Sequence, residues 1–352
     1  MSRHVLPPAT AEGPGYTIVE NASLEARNTF RVAARAALLI DVRRTAALAE
    51  LFGFAALKSG PLLVLGEGSN ILFTRDWPGV VLSIATRGIA IEDERGERVR
   101  VRVEAGENWN DFVHWSIAQG FAGLENLVAI PGTVGAAPMQ NIGAYGVEAR
   151  EFIARVEAWD RAASRLALLD NAECAFAYRD SIFKRVPDRY VITAVEFELP
   201  RSRAPRLDYA GVREELAALG VAEARPAAIA EAIARIRSRK LPDPRVIGNA
   251  GSFFKNPIVS AAEADRLRSE QPDAPIWPAG EGLAKVSAAW LVESCGFKGV
   301  REGDAGVSAA HALVLVNHGR ASGAGIRALA TRIQDGVRAR FGIELVPEPL
   351  IV

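Results

Sequence analysis

The chain has 352 residues, 49% of them hydrophobic, with 42 basic side chains against 42 acidic ones. That length suits two or three modules of about 100–200 residues, the apolar fraction excludes global disorder, and balanced charge is a poor basis for sequence-independent binding to nucleic acid or anionic membranes. Two cysteines (Cys174, Cys295) and four histidines show neither a disulfide framework nor metal-ligand spacing, so a reducing cytosol and no metal are expected.

Met1–Gly15 is rich in Pro, Ala and Gly and lacks the charged-then-apolar order of a signal peptide. Residues 1–22 are therefore read as a flexible extension. Ala37–Val42 is a short apolar strand, Arg44–Lys58 has helical spacing up to the breaker Ser59-Gly60-Pro61, and Leu62–Leu65 is a compact strand. Val80–Ile84 and Arg98–Glu104 read as strands, the second alternating Val99, Val101 and Val103 with arginines. Asn108–Gln119 reads as a helix with Asn108 as N-cap. The uncharged run Asn126–Val147 is too rich in Pro, Gly, Gln and Asn for a membrane-spanning helix.

Phe152–Asp160 and Tyr190–Leu199 return to strand character, and the polar, proline-flanked stretch after Pro200 marks a module boundary. Helices follow over Pro226–Lys240, with proline in the first turn, and over Val286–Cys295, closed by Gly296. Leu313–Val316 is a buried strand. The last helix carries Ile326, Leu329, Ala330, Ile333, Val337 and Phe341 on one stripe before Gly342. No internal repeat occurs, and the mixture of elements is α+β, not a regular βαβ series.

Five segments have the composition of chemical sites. Gly66-Glu67-Gly68-Ser69-Asn70 follows a strand and brings backbone close to a ligand, although a plain tight turn has the same pattern, and Ile71 and Leu72 replace the third glycine of a dinucleotide fingerprint. Ile130–Gly146 is a long uncharged loop of small residues, a backbone wall for an extended ligand or a tight packing segment; the amides of Gln140 and Asn141 suit polar ligand edges. In Tyr178-Arg179-Asp180-Ser181, the Arg179 fork suits a carboxylate or phosphate, or a surface pair with Asp180. Gly251-Ser252-Phe253-Phe254 sets a hydroxyl beside an apolar wall, for acid–base work or as a turn serine. Glu348 lies between Pro347 and Pro349, a rigidly placed carboxyl or a solvated one.

In this order the five segments resemble the UDP-N-acetylenolpyruvoylglucosamine reductase family, from Asn28-Thr29-Phe30 to Glu348. The most specific pieces are Gln140-Asn141-Ile142-Gly143-Ala144-Tyr145-Gly146, Tyr178–Ser181, and Gly251-Ser252-Phe253-Phe254-Lys255-Asn256-Pro257. Leu207–Gly211 resembles the tyrosine-bearing loop of the family's first type. The resemblance implies an α+β chain with a two-lobed FAD-binding fold of the vanillyl-alcohol-oxidase (PCMH) type over residues 23–200, in lobes of about 23–86 and 87–200, and a substrate-binding domain over 201–352 whose last strand returns towards the flavin. It implies NADPH-dependent, FAD-mediated reduction of UDP-N-acetylglucosamine enolpyruvate in peptidoglycan precursor synthesis, by a cytoplasmic monomer. Non-covalent FAD would be lined by Gly66, Glu67, Gly68, Ser69, Asn70, Pro131, Gly132, Thr133, Gly135, Ala136, Gln140, Asn141, Ile142, Gly143, Ala144 and Tyr145. Arg179, Ser252 and Glu348 would be catalytic, with Tyr178, Tyr209, Lys240, Asn256 and Lys285 at the substrate. Leu350 stands where family members often carry a basic residue. Another flavin oxidoreductase of the same fold, acting on alcohols or sugar lactones, and a non-catalytic nucleotide-sugar-binding protein are the alternatives.

Overall fold

The computed structural model describes residues 9–94 and 96–352, so residues 1–8 of the expected extension lie outside the described residues. The chain divides into two compact units. One comprises residues up to Ala22, Ala36–Glu67 and Trp77–Arg237; the other comprises Ser23–Arg35, Gly68–Asp76 and Ser238–Val352. The mixed strand and helix content is α+β, as the sequence indicates.

The first unit holds two five-stranded sheets. In one, the order is Thr10–Gly13, Tyr16–Ser23, Arg35–Val42, Trp77–Ile84, Leu62–Leu65. The last three strands are parallel, and two short helices, Ala47–Leu51 and Ala55–Ser59, make the crossover from Arg35–Val42 to Leu62–Leu65, which flank Trp77–Ile84. The continuous helix expected over Arg44–Lys58 is thus interrupted. Gly53 has low helix propensity, Phe54 adopts an extended backbone, and the break lets Leu51 and Leu57 both enter the core. The central strand Trp77–Ile84 is buried along Val80–Ile84, as a strand covered on both faces should be.

The second sheet is antiparallel: Arg165–Asp170, Ile153–Asp160, Tyr190–Pro200, Arg98–Glu104, Ile89–Asp93. Along Arg98–Glu104 the three valines are fully buried. Arg102 lies on the opposite face, where it bonds Glu104 (2.7 Å) and Glu157 (3.1 Å). The valine face packs on the helix Trp109–Ala118, whose Trp109 indole donates to the Leu127 carbonyl at 2.9 Å and whose Phe112 ring lies 4.8 Å from Phe197. Asn108 caps this helix as expected, accepting from the Asp111 N–H at 3.0 Å.

Two expected boundaries are corrected. Residues 10–22 are not a flexible tail: they form the outer hairpin of the first sheet, and the Tyr16 hydroxyl donates to Glu50 at 2.8 Å. Residues 201–237 do not begin the C-terminal domain, because Val212, Leu216, Ile229, Ile233 and Ile236 fill the first unit's core. A polar linker marks where a chain leaves a surface, not which core its next helix joins.

The second unit has an antiparallel sheet ordered Gly248–Ser252, Val314–Asn317, Ala305–Val307, Arg301–Glu302, and a three-stranded sheet ordered Ile258–Ser260, Leu283–Val286, Ile276–Pro278. The helix Gly323–Phe341, with the expected apolar stripe buried, packs on the four-stranded sheet at Ala305–Val307 and Val314–Asn317, with Ser322 as N-cap and Gly342 left-handed at the end. Residue Val286, expected in a helix, is in a strand; Ser287 caps the helix Ala288–Ser294. Two excursions from the N-terminal half belong here. The Asn28 amide donates to the carbonyls of Leu24 (2.8 Å) and Val32 (3.0 Å), and Asn317 donates to the Phe30 carbonyl at 2.9 Å. Gly68–Asp76 carries the strand Ile71–Leu72, which pairs in parallel with Leu350–Ile351. Both excursions were expected in the first FAD-binding lobe.

In the first unit, buried Asp160 accepts from Arg189 at 2.9 Å and from the N–H groups of Ala162 and Ala163. The Arg189 hydrogen bond, aided by the two amides, holds this carboxyl below the usual carboxylate range. Its folded pKa is depressed, so its contribution to stability is present above the unfolded value of about 3.9 and is lost as pH falls below it. Urea unfolding between about pH 6 and pH 3 should show an acid limb that Asp160→Asn flattens. An unchanged limb would remove Asp160 from the acid response.

Candidate active site

Strand Leu62–Leu65 delivers the first glycine-rich turn to the side of the long loop. The Glu67 carboxylate accepts from the Asn108 amide at 2.7 Å and from the Gly132 N–H at 3.0 Å. It is the brace between the two loops; the sequence reading placed it against the cofactor. At Gly66 an added Cβ would lie 2.7 Å from the Thr133 hydroxyl, so only glycine permits this approach. The loop then folds onto the segment before the helix: the N–H groups of Val134 and Gly135 donate to the carbonyls of Glu107 (2.8 Å) and Ala105 (2.9 Å). Val134–Ala136 closes into a single 3₁₀ turn that leaves Gly135 and Ala136 half-buried.

Asn141 occupies the centre of the loop. It is fully buried with a positive φ of 45°. Its NH2 donates to Glu148 and to the Ala177 carbonyl, both at 3.1 Å, and its oxygen accepts from the Arg150 N–H at 3.0 Å. The expectation that this amide faces a ligand is corrected: it is spent on holding the loop. Gln140 and Ile142 beside it are half-buried. Beyond it, Gly143–Ala144 pairs with Val147–Glu148 across a two-residue turn. Both turn residues, Tyr145 (φ 48°) and Gly146 (φ 79°), have positive φ, the requirement of a type I′ hairpin. Tyr145 is therefore presented at a hairpin tip.

Tyr178–Ser181 docks on this same loop. Buried Ser181 donates to the Met139 carbonyl at 2.6 Å, and Arg179 donates to the Gly143 carbonyl at 2.8 Å. Arg179 also has a left-handed backbone (φ 54°), and its guanidinium lies 5.5 Å from the Tyr178 ring. Asp180 pairs with Arg185 at 3.0 Å. Tyr209, about half exposed, lies with its ring 4.9 Å from that of Tyr145 in an edge-on contact.

The second unit carries candidate residues of its own. Asn249 is buried and accepts from the Gly251 N–H at 3.0 Å; Gly251 turns left-handed (φ 69°), and the strand is irregular between Asn249 and Ser252. Ser252 follows this bulge, half-buried and paired with Val314, while Phe253 and Phe254 after it are buried. The next residues pair with the C-terminal segment. The Glu348 N–H donates to the Phe253 carbonyl (2.8 Å), and the Lys255 N–H to the Val346 carbonyl (3.0 Å). Ser252 and Glu348, about a hundred positions apart in sequence, are thereby set on adjacent backbone. Asn70 donates to the Glu348 carbonyl at 3.3 Å and its own carbonyl accepts from the Leu350 N–H at 3.0 Å. Leu350, in place of the basic residue, is an exposed member of this short ladder.

Of the expected substrate residues in this unit, Asn256 accepts from the Ala288 N–H at 3.0 Å, which commits its oxygen to a helix start. Lys285 sits on the middle strand of the three-stranded sheet, opposite Ile258 and Trp277. Exposed Lys240 ends its helix near His311; burial, with the charges of Lys240 and Lys298, lowers the His311 pKa. Two polar residues of the first unit's site went unmarked in the sequence reading, Asn126 and Arg237. Asn126 was hidden in an uncharged run, and Arg237 only borders the apolar stripe Ile229, Ile233, Ile236. Because Asn141 leaves three loop contacts unmade when truncated, Asn141→Ala should lower stability by about 1–3 kcal/mol in urea unfolding. A change of a few tenths would show that the loop does not hang on this amide.

Comparison with known proteins covers nearly the whole chain. The family model for the UDP-N-acetylenolpyruvoylglucosamine reductase C-terminal domain matches residues 243–352, and that for an FAD binding domain matches 36–167. The chain is similar to the UDP-N-acetylenolpyruvoylglucosamine reductase of Xanthomonas oryzae pv. oryzae, at 52% identity over 340 residues, 96% of this chain and 97% of that one. It is 51% identical to that of Xanthomonas campestris pv. campestris over 338 residues, with the same two coverages. The crystal structure of the Thermus caldophilus enzyme matches with a TM-score of 0.64 at 26% identity, over 94% of this chain and 97% of that chain. With braced glycine-rich loops in one unit and a paired Ser252–Glu348 segment in the other, and with identity running through both, the chain belongs to the UDP-N-acetylenolpyruvoylglucosamine reductase family.

Proposed function

We propose that Arg179, Ser252 and Glu348 carry the reaction of an FAD-dependent, NADPH-consuming reductase that converts UDP-N-acetylglucosamine enolpyruvate to UDP-N-acetylmuramate in peptidoglycan precursor synthesis. The activity is that of the family, and the near-complete coverage of relatives with about half their residues identical is the observation that carries it. Identity across both units, not in the FAD-binding part alone, favours this over an oxidase that shares only the cofactor fold.

The first unit's residues fit FAD. Gly66 and Thr133 approach too closely for any side chain to intervene, and Glu67 spends both oxygens on protein donors, so its charge is engaged beside the loops that would take the dinucleotide. Gly132, Thr133, Gly135, Ala136 and the turn to Tyr145 would line it, with Pro131 at the rim. No cysteine or histidine lies in either loop, which suits non-covalent binding. FAD held there would supply the redox chemistry, hydride transfer between NADPH and the terminal carbon of the enolpyruvyl double bond. The remaining work belongs to side chains. Arg179 and the Glu348 carboxyl stabilise charge that spreads onto the adjacent carboxylate, as fixed donors do in a preorganised site. Ser252 gives its proton to the other carbon of the bond; a hydroxyl brings no permanent charge. Tyr178, Tyr209, Lys240, Asn256 and Lys285 are proposed for the substrate, Asn256 through its NH2.

Both cysteines are free in the structure, and among the described residues no helix is long and apolar enough to cross a membrane. We place the enzyme in the cytoplasm as a monomer acting on small molecules. The purified protein should be yellow, bleached by NADPH, and recoloured anaerobically by the enolpyruvyl sugar nucleotide. Lasting bleaching after substrate addition contradicts the assignment. In stopped-flow, Ser252→Ala should retain bleaching by NADPH and slow substrate-driven reoxidation about 10²–10⁴-fold. Reoxidation at the wild-type rate removes Ser252 from the mechanism.

A further inference from the structure

Within the first unit, three stretches distant in sequence meet at Tyr145. The side chain of Asn126, almost wholly buried, donates to the carbonyls of Tyr145 and Arg206, each at 2.9 Å. It ties the hairpin that carries Tyr145 to the segment leading into Tyr209. The two rings then touch edge-on at 4.9 Å. The third stretch is the helix Pro226–Lys240. Its Arg237 donates from Nε to the Ala129 carbonyl at 3.2 Å and hydrogen-bonds the Tyr145 side chain.

Arg237 is unusual in its surroundings. Burial pushes its guanidinium below the ordinary range, and the groups that pull it back are the phenols of Tyr145 and Tyr209. No carboxylate figures among its partners in the described residues. A guanidinium does not shed its charge to escape burial, so it holds firmly to the acceptors it has. Tyr145 in turn stands on a positive-φ backbone, a conformation that costs a non-glycine residue energy and persists only when neighbours hold it. Tyr209 has no such brace of its own: it precedes the short helix Val212–Ala218 on an exposed bend.

We infer that Arg237 is a positioning residue for the reductase, fixing the Tyr145 ring and, through the ring pair, the direction in which Tyr209 meets the sugar-nucleotide substrate. This rests on the proposed role of Tyr209 in substrate binding. Arg237 then acts on substrate capture through Tyr209. It moves no proton and no hydride.

The test is a double-mutant cycle on the holoenzyme, using Arg237→Met and Tyr209→Ala singly and together, with KM for the enolpyruvyl sugar nucleotide as readout. Each single change should raise KM about tenfold, and the double variant should raise it little further, because the two act as one unit. Arg237→Lys, which keeps charge but not the fork, should recover part of the loss. The limiting rate of flavin bleaching at saturating NADPH should stay within about twofold in Arg237→Met. Effects on KM that multiply in the double variant, or a KM unchanged in Arg237→Met, overturn the inference. If Arg237→Met does not fold, Tyr145→Phe removes the acceptor and keeps the ring, and its cycle with Tyr209→Ala must show the same shortfall from multiplication. Wild-type enzyme not reoxidised by the substrate sinks the reading of function and this inference with it. Wild-type turnover with multiplicative variants sinks this inference alone.

Discussion

A long, uncharged loop has to find partners for its backbone polar groups, and the glycine-rich segments of the first unit depend on how this one does so. Ile130–Gly146 has almost no regular structure of its own, and buried amides and carbonyls left unpaired cost about as much as a lost hydrogen bond each. Glu67 takes the Gly132 amide, Ser181 and Arg179 donate to the carbonyls of Met139 and Gly143, and Asn126 donates to that of Tyr145. Asn141 spans the middle. Each of these polar side chains removes a degree of freedom from the loop, and together they turn a flexible composition into a fixed wall.

This explains why several residues that resemble ligand contacts hold protein instead. Glu67, Asn141 and the oxygen of Asn256 are engaged internally. A charged or amide group placed beside a site can serve it by keeping glycine-rich backbone where a ligand needs it. Arg179 likewise holds protein, one amino group being bonded to the Gly143 carbonyl of the loop. Its positive φ, like those of Asn141 and Tyr145, places backbone strain in the motif segments, a feature common at functional sites.

In the second unit the organising contact is the pairing of residues 253–255 with 346–348. A bulge precedes Ser252, two buried phenylalanines anchor the strand, and the C-terminal segment lies alongside it between Phe253 and the Asn70 turn. Pro347 and Pro349 restrict the backbone on either side of Glu348. The backbone positions of Ser252 and Glu348 are thus fixed by this pairing. The Leu350 position, without a basic side chain, contributes backbone to the ladder that secures this arrangement.

From its order of residues alone, the chain declared its α+β class, its strongest elements and its family. Leu62–Leu65, Arg98–Glu104 and Pro226–Lys240 have the bounds read from their periodicity, because local alternation or helical spacing suffices to define an element with one buried face. The motif residues were visible through their joint order, since each run taken alone also suits a turn, a packing segment or a surface pair. Tertiary structure decided what each residue touches and which unit it serves. Residues 23–35 and 68–76 joined the C-terminal unit, residues 201–237 joined the first, and the N-terminal hairpin became a sheet edge. Asn126, Arg237 and the Phe253–Glu348 pairing came to light only in three dimensions. The physical reason is range: periodicity records which face of an element is apolar, whereas a hydrogen bond between residues far apart in the chain leaves no local signature, and its partners are chosen by how the cores close.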